Sequence, residues 1–448
     1  MNIPFWTRSH PSLWTDQSVI REELFSTERL EAHGRTLAAA QAVATRPTKG
    51  YPLAGRLASN ASVLLKSHGA IARVADAGGA ITPAALWLLD NYYLVERQIH
   101  DIRLNLPPGY YRQLPKLTEG PFAGYPRVLG VAWAFVAHTD SRFDPELLCR
   151  YVRAYQAVDP LTIGELWALA ITLRIVLIEN LRRLGEIIVN DRTFREQADT
   201  LADQLLAAES RAPALPDKMP LRDAFAVQLV YRLRDQDPKV TPALTWLDQC
   251  LAARGTSADA IVRDELQRQG AASVTVQNII TSMRLISDVE WTDLVERISL
   301  VDDVLAADSG FGAMDFPTRN LYRSAIETLA RGSDLTEIEI ARRAVIAARQ
   351  SPAGSRAQDP GYHLLTGGRQ AFQASIGFRP PLRAWPRRVN DGLGVGGYVT
   401  AIAGVTAVLL ALALLTVGLG AKWILLGLLP AADLAVAIVN RTVIWGFG

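Results

Sequence analysis

The chain has 448 residues, 47 of them basic and 45 acidic, and 49% of them are hydrophobic. That length allows two or three compact units with cores of their own. So even a charge balance offers no broad field for nucleic acid, and no nucleic-acid partner is expected.

The charges are unevenly distributed. From Val389 to Gly448 the only charged residues are Asp391, Lys422, Asp433 and Arg441, the pattern of a soluble body followed by a membrane segment. The two cysteines, Cys149 and Cys250, are too few and too far apart for a disulfide scaffold and read as buried reduced thiols. The six histidines form neither HxxH nor HxxxH, so no metal site can be argued from them. The N-terminus, MNIPFWTRSHPSLWTDQ, lacks the apolar run of a secretory signal. The body is therefore expected in the cytoplasm.

Helical periodicity dominates. Helices are expected at about 20–44 and 53–76. Thr82 is an N-cap with Pro83 at the first helical position, and Leu88, Tyr92, Val95, Ile99, Ile102 and Leu106 then form one apolar stripe. A helix follows at about 126–138, and Asp144 with Pro145 opens another to about Ala157. Thr162 and Glu165 form a T-x-x-E capping box for a helix that is apolar nearly all round from Leu166 to Leu184. Arg174 interrupts that run, so it reads as the central helix of a soluble core rather than as a membrane span. Further helices are expected at about 192–208, 220–234, 242–253, 258–286, 289–306, 318–330 and 335–349. Pro and Gly punctuate them at 211–220, 235–242 and 309–317, the first being the expected boundary between subdomains. No fixed-period repeat is visible.

Residues 351–391 are rich in Pro, Gly and Arg and read as a linker. Gly392 to Ala421 carries no charge, enough for a span at about 398–418, and Trp423 to Trp445 reads as a second span despite Pro430 and Asp433. Arg379, Arg383, Arg387 and Arg388 precede the first span while only Lys422 lies in the turn, which places the body on the cytoplasmic side. Asp433 should face protein rather than lipid, or lie close to the interface.

Several motifs have a functional and a plainer reading. GLGVGG (392–397) satisfies G-x-G-x-x-G, but it follows a basic linker rather than a strand, which excludes a dinucleotide fingerprint. Asp235-Gln236-Asp237 matches D-x-D but lacks a preceding strand and reads as a helix-ending turn. His138, Asp140 and Arg142 cluster at a helix end, where they serve either as caps and ion pairs or as polar groups around a site. A guanidinium at Arg174, in so apolar a helix, needs a carboxylate (Glu165, Glu179, Asp140 or Asp144) or an anionic ligand. The segment from Thr82 to Glu146 carries Tyr92, Tyr93, Tyr110, Tyr111 and Tyr125 with Arg112, Lys116 and Arg127. Aromatic faces beside hydrogen-bonding groups suit sugars, and they equally suit packing between helices.

The blocks IREELFSTERLEAH (20–33), DNYYLVERQIHDIRLNLPPGYYRQLPKL (90–117), GYPRVLGVAWAFVAHTDSRFDPELL (124–148), PLTIGELWALAITLRIVLIENLRRL (160–184), MDFPTRNLYRSAIETLA (314–330) and GYHLLTGGR (361–369) resemble the N-terminal region of bacterial cyclic β-1,2-glucan synthases. PAADLAVAIVNR (430–441) extends the resemblance into the membrane segment. The resemblance implies a large inner-membrane protein whose glycosyltransferase domain, beyond this region, polymerises glucose from UDP-glucose with a divalent metal. No Q-x-x-R-W or convincing D-x-D is present here, so no catalytic residue of the family is carried over, and no cofactor is expected in these residues. A fragment or truncated product of such a synthase is expected.

These readings converge on an all-α fold, a helical cytoplasmic domain followed by a two-helix transmembrane hairpin. The expected divisions are 1–210 and 221–350 as helical subdomains, 351–391 as linker and 398–445 as hairpin. The expected partners are the membrane, the glycosyltransferase domain of the same synthase and β-1,2-glucan. The candidate contacts are Tyr92, Tyr93, Tyr110, Tyr111, Arg112, Lys116, Tyr125, Arg127, His138, Asp140, Arg142 and Arg174. A self-contained membrane-anchored scaffold for protein partners is the alternative, and an enzyme built on His138, Asp140, Arg142 and Arg174 a third reading.

Overall fold

A computed structural model describes residues 14–44, 50–207, 222–234, 241–380, 385–417 and 424–447. Among these the regular structure is helical, with two isolated antiparallel bridges, Val43↔Leu117 and Lys116↔Pro126. The chain divides into two units, Met1–Asp302 and Asp303–Gly448. The stretch 211–220, the expected boundary, and Asp235–Asp237 lie outside the described residues.

The first unit contains α1 (Thr27–Ala40), α2 (Ala54–Asp76), α3 (Pro83–Asp90), α4 (Tyr92–Asn105), α5 (Pro108–Gln113), α6 (Arg127–His138), α7 (Pro145–Gln156) and α8 (Ile163–Ala207). It continues with α9 (Asp223–Leu233), α10 (Thr241–Ala253), α11 (Ala258–Asp288) and α12 (Trp291–Ile298), and the division point falls in α13 (Leu300–Ala307). Thr82 caps α3 by accepting from the Ala85 amide at 3.3 Å. The stripe expected through Leu88, Val95, Ile99 and Ile102 is buried, but it belongs to two helices rather than one. The break is at Asn91, whose Nδ2 donates to the Trp87 carbonyl at 2.9 Å and whose Oδ1 accepts from Arg284. A side chain that bonds its own backbone in this way competes with helix continuation.

Helix α8 is the axis of this unit. The Thr162–Glu165 capping box forms, with Thr162 N to Glu165 Oε2 at 2.9 Å and Glu165 N to Thr162 Oγ1 at 3.2 Å. The helix then runs 45 residues, about 68 Å at the usual rise, taking in the separate helix expected at 192–208. The only glycine at the junction, Gly185, has room for no more than contact with Ser67 and Leu64, and no proline intervenes. Helices α2, α3, α4, α6, α9, α11 and α12 pack around it, burying Leu169, Leu173, Val176, Leu177 and Leu181. Each such side chain contributes roughly 1.5–3 kcal/mol. Cys149 is buried as expected, whereas Cys250 is only half-buried; both are free.

One carboxylate breaks the apolar run. Glu179 is 0% exposed and accepts five hydrogen bonds. Arg56 donates from Nε at 2.9 Å and Nη2 at 2.6 Å, Asn60 at 2.8 Å, Arg182 at 2.8 Å and Arg183 at 2.9 Å. Burial alone would raise its pKa, but the bonds from Arg56, Arg183 and Arg182 outweigh it and hold the carboxyl down at about 2. Arg174 lies five residues earlier and does not share this anion. It is half-buried, donating to Gln98 Oε1 at 2.8 Å and the Ile286 carbonyl at 3.2 Å. The expected carboxylate partners are engaged elsewhere: Glu165 with Arg127, Asp140 with Arg21, and Asp144 as the cap of α7.

In the second unit, α14 (Phe316–Arg331) is capped by Asp315, and α15 (Glu337–Arg349) by a Thr336–Glu339 capping box. Within 351–391, expected as a linker, α16 (Pro360–Leu365) and α17 (Arg369–Ser375) bury Leu364, Phe372 and Ile376. Asp359 starts α16 by accepting from the Gly361 amide at 2.6 Å and from the Tyr322 hydroxyl at 2.5 Å, which ties the segment to α14. Helix α18 (Trp385–Val417) encloses GLGVGG, so these glycines form helix rather than a strand-to-helix turn. Its stretch Gly396–Thr416, 21 residues of mean hydropathy 2.4, is long and apolar enough to cross a membrane. Helix α19 (Ile424–Phe447) packs against α18 through Ala435 and Val439, and Tyr398 donates to Asn440 Oδ1 at 2.7 Å. Within its described residues α19 does not meet the same measure, so one of the two expected spans is present on that criterion. Asp433 lies on the exposed surface of α19 rather than against α18.

Replacing Glu179 by Gln should lower unfolding free energy by about 3–5 kcal/mol at neutral pH, because three guanidinium groups lose their shared anion. The folded value near 2 lies below the ordinary 4.5, so this stabilisation is full above pH 4.5 and is lost as pH falls toward 2. Urea unfolding of wild type and Glu179→Gln should show the gap closing over that window. A gap independent of pH contradicts the assignment.

Candidate functional site

The segment from Pro107 to Pro126 is folded back on itself and pinned on both sides. Lys116 O accepts from the Ala44 amide at 2.8 Å, Leu117 N donates to Tyr125 O at 3.0 Å, and Gly124 N donates to Leu117 O at 2.8 Å. Gly124 has φ +81°, and a Cβ there would lie 2.6 Å from the Tyr51 ring, so the turn requires glycine. Tyr51 N in turn donates to Gly124 O at 2.9 Å.

Most candidate side chains on this segment point inward. Tyr111 is buried and donates to the Tyr51 carbonyl, and Tyr110 donates to the Gly164 carbonyl at 2.5 Å. Buried Lys116 donates to the carbonyls of Tyr111 and Leu114, each at 2.6 Å, with Nζ 4.6 Å from the Tyr111 ring centroid. Burial lowers the Lys116 pKa to about 8 against an opposing pull from Glu165, and burial pushes the Tyr111 hydroxyl up. Arg127 grips Glu165 in a fork at 2.9 and 2.6 Å, bonds the Pro160 carbonyl at 3.0 Å and pairs with Asp159. Tyr92 is buried and stacks on His68, while Tyr93 and Arg112 are exposed.

The His138–Arg142 group is likewise dispersed into structural bonds. His138 stacks on Phe25 at 3.9 Å, its Nδ1 lies 2.8 Å from the Glu23 carbonyl, and His33 meets its edge at 4.6 Å. Asp140 and Ser141 have φ of 50° and 62°, a left-handed turn that non-glycine residues adopt at a cost. Their bonds hold it: Thr275 donates to Asp140 Oδ1 at 2.6 Å, Asn180 to Ser141 Oγ at 2.9 Å and Ser282 to the Ser141 carbonyl at 2.8 Å. Arg142 is exposed, and Arg174 is not part of this group. Among the described residues no group of three or more His, Cys, Asp or Glu side chains could hold a metal ion.

What these contacts do assemble is an aromatic face above Glu179. Tyr125 is half-buried and its hydroxyl accepts from Trp14 Nε1 at 2.7 Å. Trp14 meets Tyr125 at 5.7 Å and Trp133 at 6.0 Å, both edge-on; Phe122 meets Trp133 at 5.6 Å, and Tyr51 meets Tyr125 at 5.4 Å. The guanidinium groups that hold Glu179 also support the rings, Arg56 at 4.9 Å from the Trp14 centroid and Arg183 at 5.2 Å from that of Trp133. Arg183 Nη1 donates to the Ser18 carbonyl at 2.7 Å, anchoring the strand of chain that carries Trp14. All five rings retain solvent exposure. Rings held rigid at several angles beside charged donors form a surface able to stack on the apolar faces of sugar rings.

Sequence reasoning reached only Tyr125 of this face. Trp14, Tyr51, Phe122 and Trp133 come from four separate segments, and nothing in their local spacing links them. The chain's tryptophan content and the arginine pair Arg182–Arg183 in an apolar helix were the available signals.

Replacing Lys116 by Met tests the inward packing. The folded value near 8 lies below the ordinary 10.5, so the cost of the buried charge is full below pH 8 and is relieved as pH rises toward 10.5. Wild-type stability, measured by urea unfolding, should therefore improve relative to Lys116→Met between those pH values. A constant difference would place Lys116 in solvent.

No family model matches the chain. It is 35% identical over 380 residues to the cyclic beta-(1,2)-glucan synthase NdvB of Rhizobium meliloti (strain 1021), an alignment covering 81% of this chain and 13% of that protein. Over 81% of its length, therefore, this chain is related in sequence to one segment of a cyclic β-(1,2)-glucan synthase.

Proposed function

We propose that the chain is the N-terminal helical region of a bacterial cyclic β-1,2-glucan synthase, and that it guides glucan rather than making it. Its body would sit on the cytoplasmic side of the inner membrane, anchored by α18 with α19 as the second arm of a hairpin. Synthesis from UDP-glucose, with its metal, would belong to a glycosyltransferase domain outside these residues, against which the helical body would dock.

The observation carrying this reading is the aromatic face over Glu179, considered with the sequence relationship. Trp14, Phe122, Tyr125 and Trp133 present rings whose orientation is set by fixed ion pairs and hydrogen bonds. A ligand meeting preset rings loses little affinity to ordering the protein. The exposed apolar run of α18 supports membrane anchoring.

Calorimetric titration of the full chain in detergent with β-1,2-gluco-oligosaccharides should give saturable heat. Trp133→Ala should reduce affinity at least roughly tenfold, the scale of one lost aromatic contact. Absence of binding in wild type would leave the plain scaffold reading instead.

A further inference from the structure

A second concave feature of the first unit lies apart from the aromatic face. A cavity of about 390 Å³ opens between α8, the start of α9, the end of α10 and α11. That volume falls in the range of small-ligand pockets. Phe194 and Ile187 supply its apolar surface, with Asn190 and Asp191 beside them on α8. Asp223 opens α9, and its two oxygens pair separately with Arg254 at 3.3 Å and Arg268 at 3.2 Å. Arg268 is also held by the buried Glu265, which takes Gln269 at 2.7 Å and Arg195 at 3.3 Å on its other oxygen. The Arg222 guanidinium lies 5.9 Å from the Phe194 centroid.

Asp191 is the group without an internal role. It makes no hydrogen bond or ion pair among the described residues. Burial, with Glu265 and Asp223 nearby, raises its carboxyl pKa above the ordinary range. The charges of the lining nearly cancel: Arg222, Arg254 and Arg268 against Asp191 and Asp223 leave +1, and Glu265 behind Arg268 is itself paired with Arg195, which leaves that sum unchanged. An anion would have to take Arg254 and Arg268 from Asp223 and would then lie beside two carboxylates, Asp191 and Asp223. A neutral ligand with many hydroxyls meets no such conflict. Carboxylates accept from its hydroxyls, guanidinium groups donate to them, and a ring covers its apolar face.

We propose that this cavity binds a short neutral gluco-oligosaccharide, with Asp191 and Asp223 accepting from sugar hydroxyls, Arg254 and Arg268 donating, and Phe194 against a pyranose face. The choice of glucose rests on reading the chain as a glucan-synthase segment; the polyhydroxyl class rests on the cavity alone. The cavity thereby provides a second contact for a glucan chain, separate from the tryptophan face.

Full-length chain in detergent, titrated with β-1,2-gluco-oligosaccharides by calorimetry, distinguishes the two sites through variants. Asp191→Asn should weaken binding roughly tenfold, as expected for one hydrogen bond to a charged group, and should do so in a Trp133→Ala background as well. Asn190→Ala, on the exposed rim, should weaken it less and guards against a folding defect. If Trp133→Ala abolishes all binding and Asp191→Asn changes nothing, the cavity proposal is wrong while the functional reading survives. If the cavity variants alone matter, the cavity proposal stands and the aromatic face loses its role. Saturable binding of inorganic phosphate that Asp191→Asn strengthens, with no response to oligosaccharide, would overturn the polyhydroxyl assignment.

Discussion

A single buried carboxylate organises the first unit. Glu179 is fully buried in the apolar first half of α8, where an unpaired charge would cost several kcal/mol. Its five donors come from α2 and from the next turn of α8 itself. Meeting that demand fixes Arg56, Arg182 and Arg183, and each then reaches a second partner. Arg183 holds the Ser18 carbonyl and underlies Trp133, Arg56 underlies Trp14, and Arg182 bonds Glu186. The buried ion cluster is weak support for stability as such, but it fixes orientation. The surface rings inherit their geometry from a charge they do not touch.

The segment that looks most like a ligand loop by composition serves mainly as a closure. Its tyrosines and lysine donate to backbone carbonyls rather than to solvent: Tyr110 to Gly164, Tyr111 to Tyr51, Lys116 to Tyr111 and Leu114. Arg127 does the same for the entry to α8 by holding Glu165, which is also the capping residue. The outcome is a wedge between α1, α6 and α8 whose outer edge, at Phe122 and Tyr125, completes the aromatic face.

Legibility followed the range of the interaction. Local rules read the cap at Thr82, the Thr162–Glu165 box and the apolar stripe from Leu88 to Ile102, because each depends on residues three or four apart. The break at Asn91 depended on a side chain bonding backwards and on Arg284 nearly two hundred residues away, which periodicity does not register. Arg174 was expected beside a carboxylate, yet an amide and a carbonyl satisfy it, because half-burial leaves the charge in contact with water. The aromatic face and the Asp191 cavity each draw on several distant segments, so their residue types were visible but their assembly was not. Residues 351–391 looked like linker from Pro and Gly content, although Asp359 and three apolar side chains suffice to fold part of that stretch.

The chain spans 13% of the length of the glucan synthase it resembles, and the proposed guiding role turns on whether sugar reaches the rings above Glu179. Fluorine NMR of the full chain labelled with 5-fluorotryptophan, with resonances assigned by single substitutions, reads this at each indole. Adding β-1,2-gluco-oligosaccharide should shift the Trp14 and Trp133 signals saturably and leave Trp87 and Trp291 unmoved. Unmoved Trp14 and Trp133 signals at saturating oligosaccharide would contradict a glucan-guiding role for that face.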